Sequence, residues 1–177
     1  HIEILQLGGN KLNFLKSNFL DNFQSFSYLN LSRNQLSNIE SYSFSNLKFI
    51  IELELYENCL HSIYKYTFFN LISLEILHLD HNRISRIDLE SFCWLKNLYH
   101  LNLNHNLISL LKFKHFENLI NLKRLDLAYN LIKNLNSEVF NNLNSLEILD
   151  LSFNRINNLN NSLLVLNNLK SVYLAST

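Results

Sequence analysis

Asn10, Asn34, Asn58, Asn82, Asn106, Asn130 and Asn154 fall at a constant interval of 24 residues. One side-chain type held at one period along a 177-residue chain implies a single structural unit stacked on copies of itself. Such a chain is quasi-one-dimensional: each unit touches its neighbours, and none can bury its apolar face alone. The search for function therefore moves from an enclosed pocket to a surface.

Aligned on the asparagines, the rest of the chain falls into columns. The first unit runs Ile2, Leu5, Leu7, Asn10, Leu12, the third Ile50, Leu53, Leu55, Asn58, Leu60, and the seventh Leu146, Leu149, Leu151, Asn154, Ile156. Each reads L-x-x-L-x-L-x-x-N-x-L. The L-x-L pair has the period of two that a strand buried on one face requires, and stacking the units predicts a parallel sheet on the inner side. The asparagine sits where the chain leaves the strand, and its amide can satisfy turn backbone groups that would otherwise be buried unpaired. Outer columns run through Leu15, Ile39, Ile63, Ile87, Leu111, Leu135 and Leu159, and through Phe44, Phe68, Phe92, Phe116 and Phe140, with Leu20 standing in for the first ring. The phenylalanines read as a spine filling the convex half of the core. After Asn154 the register slips: Leu163, Leu166 and Leu169 come one residue early, Val172 and Leu174 continue an eighth strand, and Thr177 stands where asparagine is expected. Asparagines beyond the main column read as tolerance of tight turns and compositional drift.

Seven in-register copies of this motif resemble the leucine-rich repeats of the typical 24-residue class, as in Toll-type and other leucine-rich-repeat receptor ectodomains. The resemblance spans essentially the whole chain. It implies an α/β-type solenoid, a horseshoe with a parallel β-sheet on the concave face and irregular, 3-10 or short helical segments on the convex face. Residues 1–177 then form a single solenoid segment of about seven and a half repeats without capping domains, a slice of a longer protein. The plant receptor form carries a Gly-x-Ile-Pro, and this chain has no proline. The typical class implies an extracellular or cell-surface setting, with an intracellular one left open. Cys59 and Cys93 are the only cysteines. They lie on different sides of the solenoid, so no disulfide is expected. Two sequons, Asn30-Leu31-Ser32 and Asn160-Asn161-Ser162, offer possible glycosylation at Asn30 and Asn160.

Functional choice lies in the x positions of the strands, which point away from the core. They carry Glu52, Glu54, Asp80, Asp126 and Asp150 against one fixed cation, Arg124. The formal net charge of zero thus conceals an acidic inner face and lysines, such as Lys48, Lys65, Lys96 and Lys133, on the outside. The proposed concave binding face is Glu52, Glu54, Tyr56, His78, Asp80, His100, Asn102, Arg124, Asp126 and Asp150. Charge complementarity predicts a protein ligand with a basic patch and no nucleic acid on that face, since phosphate binding needs clustered Lys and Arg. Asp126 and Asp150 stand side by side in one column, with no nucleophile or pocket beside them, so an enzyme is not expected. His78, His81, His100 and His105 cluster in adjacent units, and His81 and His105 share a column beyond the strands. An acid-dependent switch and plain surface histidines both stay open, while no metal and no cofactor are assigned, because open strand positions do not preorganise a zinc tetrahedron. No apolar run is long enough to cross a bilayer, so no membrane insertion by this segment is expected.

The leading reading is a protein-binding module of a receptor or adhesion ectodomain that uses its concave face. The alternatives are an intracellular scaffold or regulatory segment, and a pattern-recognition receptor segment sensing nucleic acid or another microbial ligand.

Overall fold

The structure, a computed structural model, describes residues 3–17, 19–20 and 26–176; Ile2 and Thr177 of the columns above lie outside them. Eight short strands form one parallel sheet: β1 (Ile4–Gln6), β3 (Tyr28–Asn30), β5 (Glu52–Glu54), β7 (Ile76–His78), β9 (His100–Asn102), β10 (Arg124–Asp126), β11 (Ile148–Asp150) and β12 (Ser171–Tyr173). Their register follows the repeat, with Leu53 opposite Leu77 and Leu125 opposite Leu149. Across the one-residue slip, Val172 still pairs with Leu149. Outside the sheet, β2 (Phe14–Leu15) pairs with β4 (Asn38–Ile39), and β6 (Ser62–Ile63) with β8 (Arg86–Ile87). In the fifth unit a four-residue helix, α1 (Phe113–Phe116), takes the place of the turn that follows the outer strand in the unit before. The rest of the outer side is turns, so the chain is the parallel-sheet solenoid its repeats predict.

The core lies between sheet and outer turns. Leu29, Leu53, Leu77, Leu101, Leu125 and Leu149 are fully buried. Behind them Phe44, Phe68, Phe92 and Phe116 stack with centroids 6.4, 5.9 and 6.5 Å apart. Neighbouring strands of a sheet are about 4.8 Å apart. The wider spacing of the rings makes each unit a wedge, thick at the phenylalanine and thin at the strand, so the stack curves with the sheet on its inner side.

The asparagine column joins the wedges. Asn58 Nδ2 donates to the carbonyl oxygens of Leu55 and Tyr56 in its own turn and of Leu31 in the preceding unit, while its Oδ1 accepts from the Leu36 N–H at 3.0 Å. Asn34, Asn82, Asn106, Asn130 and Asn154 repeat the pattern and are all buried. Asn10 bonds within its own turn and is exposed. The side chain expected to satisfy one turn therefore cross-links two.

Five of the other asparagines are not drift, and the expectation is corrected for them. On the outer side Asn70, Asn97, Asn121, Asn142 and Asn168 donate to the carbonyls of Ser45, Ile72, Lys96, Glu117 and Asn144, each one unit back. Outer turns lack a continuous strand ladder, so side-chain amides take over the pairing of carbonyls between units. Cys59 and Cys93 are free thiols, as their placement on different sides requires.

Candidate binding face

Three side-chain positions per strand, at and just beyond its ends and centre, build the concave surface, and the parallel register sets their neighbours. At the N-terminal end Tyr28 reaches Glu54. Burial first, then the hydrogen bond to Glu54 and the charges of Glu54 and Glu52, push its phenol up to about 12, so the hydroxyl keeps its proton and donates. One strand on, His78 stands between two carboxylates, with Nε2 3.6 Å from Glu52 Oε1 and Nδ1 3.9 Å from Asp80 Oδ1. Asp80 accepts from Asn102 Nδ2 at 2.9 Å, and burial raises its carboxyl above the ordinary range. Tyr56 lies at the rim beneath the Arg33 guanidinium, 5.8 Å from the ring centroid.

The C-terminal half differs from the sequence expectation. Asp126 was placed among solvent-facing carboxylates, but it is only 1% exposed. Its Oδ2 accepts from Arg124 Nε and from His100 Nε2, both at 2.7 Å. Burial works against the charge, yet the bonds to His100 and Arg124 outweigh it and hold the carboxyl below its ordinary range. Asp126 is therefore a buried anchor for Arg124 and His100 rather than a contact group, and its expected repulsion with Asp150 is relieved by this turn toward them. Asp150 instead accepts from the Ser152 N–H at 2.9 Å. Ser32, Ala128 and Ser152, two residues past the end of the strand in the column of Tyr56 and Asp80, are likewise buried.

The free acidity thus concentrates on Glu52, Glu54 and Asp80 around His78, with Asp150 apart from them. Among the described residues none of these four lies within ion-pair distance of a lysine or arginine. His78 and His100 meet edge to face at 5.4 Å. Among the described residues no group of three or more His, Cys, Asp or Glu side chains is placed to hold a metal ion.

At the sequons, Asn30 Oδ1 accepts from both the N–H and the hydroxyl of Ser32, at 2.8 and 2.7 Å. Gly8 leaves room for that side chain, since a Cβ there would come within 2.8 Å of Asn30 Oδ1. Asn160 Nδ2 donates to Leu135 O at 3.0 Å and Ser162 is fully buried.

The pair His81 and His105 proves to be half of a longer feature. Their rings stack at 4.1 Å, His105 on Tyr129 at 4.1 Å and Tyr129 on Phe153 at 4.2 Å. All four residues immediately precede a column asparagine, and each has φ between 52° and 56°. That position in the 24-residue alignment was the signal available in the sequence.

The sequence matches the leucine rich repeat family over residues 25–84, 50–108, 72–132, 96–156 and 120–177. No curated protein matches it. Solved structures similar to the chain include Toll of Drosophila in the Toll–Spatzle complex, with a TM-score of 0.80 and 29% identity over 85% of this chain and 22% of that one. The TLR13–ssRNA13 complex gives 0.77 and 28% identity over 96% and 29% of the two chains. An internalin (InlF) of Listeria monocytogenes gives 0.74 and 26% over 98% and 48%. The chain therefore spans less than half the length of each of these proteins.

Proposed function

We propose, for a chain that belongs to the leucine-rich repeat family, that it is a protein-binding segment of a receptor or adhesion ectodomain, extracellular or at the cell surface. The concave face is its ligand surface, and a basic patch on the ligand is what it selects. One observation carries this reading: Glu52, Glu54 and Asp80 are gathered around His78 on adjacent strands with no fixed cation among them. A carboxylate cluster left uncompensated on an inward-curved sheet is stabilised by an incoming cationic partner. The likeness to Toll in complex with Spatzle supports a protein ligand. No helix of the described residues is long and apolar enough to cross a membrane, so anchoring would fall to other parts of a longer protein.

Titration with a lysine- and arginine-rich peptide tests the reading. Wild type should bind it with a marked salt dependence, and Glu52→Gln/Glu54→Gln should weaken binding about tenfold. Equal affinity of both proteins would overturn the concave assignment. Sensing of single-stranded RNA is favoured only by the likeness to the TLR13 complex, and the acidity of the concave face opposes it.

A further inference from the structure

The stacked rings belong to a surface that the concave reading does not use. On leaving the strands of units four to seven the chain alternates: the residue before the column asparagine and those one and three places after it face outward, while the asparagine is buried and its second neighbour buried or, at Ile156, half-buried. Backbone bonds hold these outward positions in file. The N–H of His105 donates to Ala128 O at 2.9 Å, that of Tyr129 to Ser152 O at 2.9 Å, and those of Leu107 and Leu131 to Ile84 O and Ile108 O at 2.9 and 2.8 Å. Units four to seven therefore present one continuous flank beside the concave face.

Its chemistry is the reverse of the concave face. The row after the asparagine reads Arg83, Leu107, Leu131, Arg155, and Lys133 lies two residues beyond Leu131. Arg83, Lys133 and Arg155 are exposed, and among the described residues none is within ion-pair distance of a carboxylate. Leu107 is 45% exposed, Tyr129 45% and Phe153 42%. No Asp or Glu occupies an outward position of this flank in the four units. Of the neighbouring carboxylates, Glu57 pairs with Arg33 and Asp88 with Arg86, while Asp80 turns to His78 and Asn102 on the concave side. The ring stack adds to the bias, since rings stacked face to face turn their edges outward and ring edges carry the positive rim of the quadrupole.

We propose that this flank binds an acidic, extended protein segment with apolar side chains between its carboxylates. Arg83 and Arg155 stand three units apart, about 14 Å at sheet spacing, and four residues of extended chain cover about 13 Å. Two carboxylates four residues apart thus meet the two arginines, and the apolar residues between them cover Leu107 and Leu131 and the edges of Tyr129 and Phe153. A strand of nucleic acid satisfies the cations but not the rings: with ring centroids 4.1–4.2 Å apart, no base can enter between the rings without opening the stack, and base stacking is what such a site needs. The inference does not rest on the concave-face reading.

The test is fluorescence anisotropy of a labelled peptide with an acidic pair at each end and two leucines between, against an oligouridine of similar charge. Wild type should bind the peptide and prefer it over the oligouridine. Arg83→Gln/Arg155→Gln should weaken the peptide about tenfold, and Glu52→Gln/Glu54→Gln should leave it unchanged. Tyr129→Asn/Phe153→Asn removes the rings with a residue that tolerates positive φ, and should weaken the leucine peptide but not one with serines in place of leucines. An unchanged thermal midpoint certifies that each variant is folded. Oligouridine binding more tightly than the peptide would overturn the proposal in favour of nucleic acid. Peptide binding indifferent to the arginine pair would overturn the site.

Discussion

Asn82 donates through Nδ2 to the carbonyl of Leu55, 27 residues earlier in the chain, at 2.9 Å. The same amide holds its own turn through Leu79 and Asp80, and its Oδ1 holds the Leu60 N–H. One buried side chain thus belongs to two units at once. Losing it strands several backbone groups away from water, each at about 1–3 kcal/mol. Asn82→Ala should cost about 3 kcal/mol or more in urea denaturation, whereas exposed Asn10→Ala should cost less than about 1 kcal/mol. Equal costs would show that the bonds between units carry no net stability.

Acid should weaken the fold through His115. Burial first, then the Lys112 ammonium, bring its imidazole down to about 4 from an ordinary 6.5. The unfolded chain therefore takes up a proton that the folded chain refuses. This contribution to stability is full above pH 6.5 and is lost as pH falls toward about 4. That interval corresponds to about 3 kcal/mol. Urea midpoints between about pH 7.5 and 4.5 should drop for wild type and stay flatter for His115→Gln. Asp126, whose carboxyl is held low, loses its contribution only below the ordinary carboxylate value of 3.8, so the two windows separate.

Asp126 and Glu54 occupy the same column but should behave oppositely. Asp126→Ala removes the acceptor of two charge-assisted bonds and should cost about 2 kcal/mol of stability. Glu54→Gln should leave stability within about 0.5 kcal/mol and weaken a basic ligand. Parallel thermal and binding measurements on the two variants check the assignment; a purely binding effect at Asp126 would contradict its burial.

Binding of a basic ligand should also respond to charge placed inside the acidic cluster. His78 stands between Glu52 and Asp80, so a fixed cation at that position occupies the carboxylates that the ligand would use. His78→Lys should weaken a basic peptide about tenfold, and His78→Gln should leave it within about twofold. Equal affinity of wild type and His78→Lys would remove His78 from the ligand surface.

Much of this molecule is legible in its period. Leu53, Leu77 and Leu101 are opposite one another because they are 24 residues apart, and the same arithmetic places Asn58 beside Asn82 and Phe68 beside Phe92. Columns also placed His81 beside His105. They did not reveal that Asn97 and Asn121 bond one unit back, because asparagine in an asparagine-rich chain reads as background until its carbonyl partner is known. Nor did they mark the fifth unit's helix, where Lys112 and His115 close one helical turn after the outer-strand position.

By itself the sequence determined the unit, the register and which residues share a column, because a fixed interval leaves one way to stack parallel strands. Only the tertiary structure decided what each side chain in a column turns toward. Asp126 faced three neighbours within reach, Asp150, Arg124 and His100, and two opposite partners at 2.7 Å outweighed both solvent and the like charge. The rings from His81 to Phe153 became one stack because a backbone held at positive φ in four successive units points all four the same way. Period fixes the backbone, while rotamer, burial and charge select the contacts, and those contacts set which surfaces remain free for a partner.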